Sequence, residues 1–142
     1  MAGAAMTAVL VDSCVLLDVI TADPQWQAWS AEQLRCCLLA GAVAINPLIF
    51  GEVAFAYERI EAVEEVLPRH LYAYWPIPRE AAFLAARAHA DYRARGGQRP
   101  MILPDFLIGA HALIERCALL TRDPRRYRQA FPGLKLITPE AA

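Results

Sequence analysis

The chain has 142 residues, a formal net charge of -1 and a hydrophobic fraction of 57%. That length fits one domain over residues 1–142, and the apolar fraction is enough for a core that needs no disulfide or structural metal. The near-neutral charge does not identify a partner. The four cysteines contain no CxxC pair. The N-terminus lacks the basic region of a signal peptide, and its apolar run is too short to cross a bilayer. We therefore expect a cytoplasmic protein without a membrane partner.

Strand and helix patterns alternate along the chain. Short apolar runs predict five strands, at 8–11, 42–45, 73–77, 118–121 and 134–137. Helical stretches lie between them, at 13–20, 24–41, 47–60, 61–71, 78–95, 105–117 and 124–130. Asp23 and Asn46 each precede a proline and are expected to cap the helices that follow. Apolar strands separated by helices are typical of a parallel sheet covered on both faces, so the pattern predicts a doubly wound α/β sandwich.

Acidic side chains lie where this sheet would end. Asp12 directly follows the first strand, and Asp123 lies just past the fourth. Asp105 opens a helix, and Glu52 lies within the early turns of the helix that leaves the second strand. Sites in such folds form at the carboxyl ends of the strands. We therefore expect all four carboxylates to converge if the first and fourth strands are neighbours.

Each acid also has a structural explanation. Asp12, Asp105 and Asp123 stand at predicted helix starts, where a carboxylate caps the helix or interacts with its dipole. Glu52 lies among apolar residues, so it is either a solvated position or a buried acid that needs a partner. In one pocket, carboxylates about 5 Å apart repel by roughly 3 kcal/mol per pair at an effective dielectric of about 20, so a counter-charge is needed. An all-oxygen ligand set suits Mg²⁺ or Mn²⁺.

Four sequence segments occur together in a characteristic order. They are VLVDSCVLLD at 9–18, NPLIFGEV at 46–53, PDFLIGAHA at 104–112 and LLTRDP at 119–124, the last followed by Tyr127 and Phe131. The third and fourth segments together are fairly specific. Through these segments the chain resembles the PIN-domain ribonucleases, and more narrowly the VapC-type toxins of type II toxin–antitoxin systems.

The resemblance implies a PIN-like three-layer sandwich with a parallel sheet of about five strands flanked by helices. It implies a Mg²⁺- or Mn²⁺-dependent endoribonuclease that forms a homodimer and is inhibited by a cognate VapB-like antitoxin. Ser13 and Thr121 match small hydroxyl residues beside the family's site, where they would orient a carboxylate or a metal-bound water; strand-end and cap roles are the alternative. The family's catalytic metal-site acids, of which the fourth is more variable, match Asp12, Glu52, Asp105 and Asp123.

The mechanism expected from the resemblance is hydrolysis of an RNA phosphodiester by a metal-activated water that attacks in line. Arginines beside the Gly96-Gly97 loop and near the fourth acid are candidates for phosphate contacts, with a solvated surface position as the alternative for each. These are Arg95, Arg99, Arg122, Arg125, Arg126 and Arg128.

Other chemistry-bearing residues are expected to be structural. His111 follows Asp105 by six residues, which is not a ligand spacing on a helix. Asp18 is interpreted as structural. Trp26 and Trp29 share a helix face at i, i+3, which predicts core packing or, alternatively, part of an antitoxin-binding groove.

Two other classes of protein with acidic sites do not match this pattern. A signalling receiver domain requires an Asp at the third strand, which 73–77 lacks, and a phosphatase of the Asp-x-Asp type requires an acid where Cys14 stands. A PIN-like module that binds RNA or protein without cleavage remains the alternative. The sequence predicts neither the RNA target nor the identity of the antitoxin.

Overall fold

The computed structural model of the chain describes residues 8–96 and 101–139. Five strands and seven helices lie in these two ranges. In chain order they are β1 (Val9–Val11), α1 (Ser13–Ile20), α2 (Gln27–Ala40), β2 (Val43–Ile45), α3 (Pro47–Ala54), α4 (Ile60–Val66), β3 (Tyr72–Tyr74), α5 (Arg79–Ala94), α6 (Leu103–Glu115), β4 (Ala118–Leu120), α7 (Pro124–Arg128) and β5 (Leu136–Ile137).

The strands form one parallel sheet in the order β3-β2-β1-β4-β5. The central strand β1 pairs on both sides, with Leu10 opposite Ala44 of β2 and opposite Leu119 of β4. The chain runs outward from β1 to β3 and then returns to β4, so the switch point lies between β1 and β4. The predicted parallel α/β fold is confirmed, and so is the neighbourhood of its first and fourth strands.

The helices cover the sheet in two layers. Right-handed crossovers place α1 to α4 on one face and α5 to α7 on the other, because the direction of travel reverses after β3. The packing agrees: α1 contacts α2 and α3, whereas α6 contacts α5 and α7. Leu10 and Val11 have no exposed surface, which explains why the strands are continuous apolar runs. Among the helices of the described residues, none is both long and apolar enough to cross a membrane.

Several helix boundaries differ from the sequence prediction: the helix expected over 61–71, for example, ends at Val66. Two of the differences have a clear local cause. The helix expected from Pro24 begins at Gln27, because the Asp23 carboxylate accepts the N–H groups of Gln25 and Trp26 and closes a turn first. The helix expected over 47–60 ends at Ala54. There the N–H of Tyr57 donates to the carbonyl of Ala54 at 2.9 Å, an i to i-3 bond that tightens and terminates the helix.

Candidate active site

Asp12 is held in place by side chains from the far end of the chain. It precedes α1, yet its carboxylate does not cap that helix. Instead, Oδ2 accepts a hydrogen bond from Oγ1 of Thr121 and one from the hydroxyl of Tyr127, each at 2.9 Å. Burial raises the pKa of Asp12, and these two hydrogen bonds and the charge of Arg126 oppose that rise. The carboxylate is therefore oriented toward the β1–β4 edge and not used as a helix cap.

Glu52 is hydrogen-bonded to Ser13, the residue that follows Asp12. Oγ of Ser13 donates to Oε1 of Glu52 at 2.6 Å. Asn46 sets the start of α3 by accepting the N–H of Ile49 at 2.9 Å, which fixes the position of the helix that carries Glu52. Burial raises the pKa of Glu52; the Ser13 hydrogen bond lowers it, and the charges of Asp12 and Asp105 raise it further. Glu52 is thus not a simple solvated position but one member of a group of acids.

Asp105 lies in the first turn of α6 and is 7% exposed. Its Oδ2 accepts the N–H of Ile102 at 3.1 Å, so the expected role at a helix start is present. Its Oδ1 accepts a second hydrogen bond, from Nη1 of Arg126 at 3.0 Å. Asp105 therefore supports its helix and also faces the edge of the sheet where the other acids lie.

Asp123 lies at the rim of the same group. It precedes α7 without capping it through its side chain. Oδ2 of Asp123 is 3.3 Å from Nε of Arg126, and its backbone N–H donates to Oγ1 of Thr121 at 3.1 Å. Thr121 thus connects Asp12 and Asp123.

Arg126 is the cation within this group of acids. The sequence suggested it only as a phosphate contact, but its guanidinium bridges Asp105 and Asp123. Burial lowers the pKa of Arg126, but the charges of Asp105, Asp123 and Asp12 more than offset this, so its pKa is raised. The i, i+3 spacing from Asp123 on α7 was a usable signal for one of its ion pairs, whereas no local pattern predicts the pair with Asp105.

Tyr127 was not predicted as a site residue, although it follows the fourth segment. Its side chain has no exposed surface, and its hydroxyl donates to Asp12. Burial raises the pKa of this phenol well above its ordinary value, and the charge of Asp12 raises it further. The phenol therefore stays protonated and acts as a permanent hydrogen-bond donor.

Arg122 is engaged away from the four acids. Its guanidinium donates to both carboxylate oxygens of Asp18, at 2.7 and 3.1 Å, and lies 5.5 Å from the ring centre of Trp26. Asp18 also accepts the hydroxyl of Ser30 at 2.7 Å. This cluster joins the end of β4 to α1 and α2, so the expected structural role of Asp18 fits, and Arg122 is not available as a free phosphate contact in this arrangement.

The remaining candidates have simpler environments. His111 is fully buried, and its Nδ1 lies 3.0 Å from Nδ2 of Asn46, at the start of α3. Trp29 packs against the core and contacts Trp26 edge-on at a ring distance of 6.3 Å. Arg95, Arg125 and Arg128 have exposed side chains, whereas Arg99 lies outside the described residues.

The acids fit a hard divalent cation by their chemistry more than by their present geometry. Oxygen donors are the ligands that Mg²⁺ and Mn²⁺ prefer, and burial raises the pKa of both Asp12 and Glu52. Within residues 8–96 and 101–139, however, no three acidic, histidine or cysteine side chains are arranged as a metal site. Ser13 holds Glu52, and Arg126 lies between Asp105 and Asp123.

Comparison with known proteins gives a family and a fold. The profile of the PIN domain family matches residues 9–132, whereas the comparison with curated proteins finds no match. The VapBC2 complex from Rickettsia felis bound to a fragment of promoter DNA contains a similar chain, with 15% identity and a TM-score of 0.71 over 92% of this chain and 98% of that chain. DNA-bound VapBC from Salmonella typhimurium gives 16% identity and a TM-score of 0.70 over 94% and 98% of the two chains. A toxin–antitoxin complex from Klebsiella pneumoniae gives 19% identity and a TM-score of 0.69 over 94% and 99%. At these identities the likeness shows a shared fold.

Proposed function

Because this chain belongs to the PIN domain family, we propose that it is a divalent-metal-dependent endoribonuclease that acts as the VapC-type toxin of a toxin–antitoxin pair. The observation that carries the proposal is the group of acids at the β1–β4 edge. The Asp12 carboxylate is buried without capping its helix. The pKa of Glu52 is raised first by burial and then by the charges of Asp12 and Asp105. Folding alone gives no reason to gather these charges.

The roles of the acids follow from their contacts. Thr121 and Tyr127 orient the Asp12 carboxylate before any ligand arrives, and Ser13 does the same for Glu52. Burial raises the pKa of both carboxyl groups, so protons compete with a cation for them as the pH falls. Asp105 and Asp123 would complete the oxygen ligands. When bound, Mg²⁺ or Mn²⁺ would supply a Lewis acid that lowers the pKa of a water and stabilises charge at phosphorus.

The RNA would be held by phosphate contacts beyond the acids. Arg125 lies exposed on α7, one residue before the arginine that reaches Asp105, and Arg95 lies exposed at the end of α5. Arginine binds phosphate as a planar fork, which positions a strand without reading its sequence. Contacts of this kind would orient a scissile phosphodiester at the edge of the sheet.

We also propose an antitoxin partner and a homodimer. The solved chains of similar fold include members of VapBC and toxin–antitoxin complexes. In this chain an apolar groove of about 470 Å³ lies against the edge strand β3, lined in part by Phe50, Ile60 and Tyr74. Phe55, which lies in sequence between the groove residues Phe50 and Ile60, is 94% exposed. Large exposed apolar side chains of this kind are typical of protein-interaction surfaces.

The test is cleavage of a folded RNA that offers several single-stranded loops, with Mn²⁺ and with a chelator. We expect cleavage by the wild type only with the ion, none by Asp12→Asn, and wild-type activity in Asp91→Asn. Asp91 is an exposed acid on α5, so this control makes the same chemical change away from the site.

Three outcomes would count against the proposal. Cleavage that persists in the presence of a chelator would show that the reaction does not require a metal ion. Cleavage by a correctly folded Asp12→Asn protein would remove the acids. Absence of both Mn²⁺ binding and cleavage in the wild type would favour a PIN-like module that binds RNA or protein without cutting it.

A further inference from the structure

Arg126 lies where the proposed metal site needs a cation. Its Nη1 is 3.0 Å from Oδ1 of Asp105, and its Nε is 3.3 Å from Oδ2 of Asp123. Its positive charge also acts on Asp12 and Glu52, whose pKa values it lowers. One guanidinium therefore interacts with all four acids, and it partly neutralises the group.

The contact with Asp105 leaves little room for a second cation. Oδ2 of Asp105 is already used by the N–H of Ile102, a bond that supports the first turn of α6. Oδ1 is the other oxygen of this carboxylate, and Arg126 occupies it. Oδ1 keeps a second lone pair, but a divalent cation bound there would lie beside the guanidinium and repel it, so the two cations compete for Asp105.

Arg126 can move without unfolding its helix. Its side chain is 39% exposed, and its long stem allows the charged end to rotate toward solvent. The neighbouring residue Tyr127 is fully buried and hydrogen-bonded to Asp12, so α7 stays anchored while the arginine changes rotamer.

We propose that Arg126 is an internal counter-cation that competes with the divalent metal for Asp105 and Asp123, so the acids bind metal only when the arginine side chain swings out. This inference rests on the proposed metal dependence. Without metal, the guanidinium stabilises the clustered acids; with metal, it is released toward the solvent side of the site. There it faces the region where a substrate phosphate would approach, and it can serve as a phosphate contact.

The test is calorimetric binding of Mn²⁺ alone, with no RNA present, to the wild type, Arg126→Gln and Arg87→Gln. The titrations are made near pH 8, well above the usual carboxyl range of about 4, so that protonation of the acids does not obscure the effect. Arg126→Gln is expected to bind Mn²⁺ about tenfold more tightly or better, because no charge-assisted hydrogen bond has to be broken. Arg87→Gln removes the same charge from an exposed position on α5 and is expected to stay close to the wild type.

A second variant protects the test against misfolding. Arg126→Lys keeps the charge but replaces the planar fork with a point charge, so its Mn²⁺ affinity is expected between those of the wild type and Arg126→Gln. Metal-free Arg126→Gln should also melt at a lower temperature than the wild type, and Mn²⁺ should raise its melting temperature by more.

The outcomes separate this inference from the proposed function. Equal or weaker Mn²⁺ binding by Arg126→Gln, in a protein whose wild type binds the ion, overturns the competition and leaves the metal site intact. No binding by the wild type but binding by Arg126→Gln supports the competition strongly. No binding by either protein overturns both this inference and the metal-dependent function.

Discussion

Removing the hydroxyl of Tyr127 tests directly whether its hydrogen bond to Asp12 stabilises the site. Tyr127→Phe removes only the group that donates to Oδ2 of Asp12 at 2.9 Å and keeps the fully buried ring. A hydrogen bond to a charged group contributes about 1.5–3 kcal/mol to the free energy of unfolding. For a chain of this size, 1 kcal/mol changes Tm by roughly 3–4 °C, so the expected loss is about 5–12 °C.

The assay is thermal unfolding followed by circular dichroism, in a chelator. Tyr92→Phe is the matched control, because the buried Tyr92 hydroxyl has no hydrogen-bond partner among the described residues. Removing an unsatisfied buried hydroxyl is close to neutral or stabilising. Mn²⁺ binding by Tyr127→Phe should also need a higher pH, since the lost hydrogen bond lowers the pKa of Asp12. Equal melting temperatures for the wild type and Tyr127→Phe, or equal losses in both variants, would refute the reasoning.

Three other predictions follow from the same contacts. Burial raises the pKa of Glu52 in the folded protein. The stability that its protonated form contributes is therefore full below the unfolded pKa and is lost as the pH rises through the folded pKa. Over that rise, the melting temperature of the metal-free wild type should fall relative to that of Glu52→Gln, and parallel curves of melting temperature against pH would contradict this. Gly109→Ala should cost about 1–3 kcal/mol in urea unfolding, because the new Cβ would lie 2.6 Å from the Phe131 ring, whereas Gly51→Ala, with nothing within 4 Å, should be neutral or stabilising. Arg122→Gln should destabilise the chain by roughly 3 kcal/mol, because it leaves the Asp18 carboxylate without its ion pair. Calorimetry should nevertheless find Mn²⁺ binding unchanged. A loss of Mn²⁺ binding together with the loss of stability would place this ion pair in the metal site.

The sheet and the positions of the acids along it were predictable from local pattern. The run before Asp12 is apolar at every position because β1 is buried on both faces. Such a strand must end at a polar residue on the carboxyl edge, so the location of Asp12 follows from the sequence. Glu52 stood out because it is an acid within an otherwise apolar helix. The family prediction made from the four segments is confirmed by the match over residues 9–132.

The connections within the site were less predictable because they link residues distant in sequence. Asp105 and Arg126 are 21 residues apart, and Asp18 and Arg122 are 104 apart. Each pair depends on how α6, α7 and the end of β4 pack, which no local periodicity encodes. The candidate phosphate contacts Arg122 and Arg126 were identified by charge alone, and charge does not distinguish a free arginine from one already paired with a buried acid.

Because β1 pairs with β4, the site at their shared edge can form only after β4 has been synthesised. Asp12 is synthesised 109 residues before its partner Thr121 and 115 residues before Tyr127. At a synthesis rate of about 5–20 residues per second, that separation corresponds to roughly 5–20 s. During this interval the nascent chain holds the first acid but not the residues that orient it. A fragment released before β4 has been made would carry Asp12 and Glu52 without the residues that orient Asp12, so the edge of the sheet is assembled only after β4 and α7 have been synthesised.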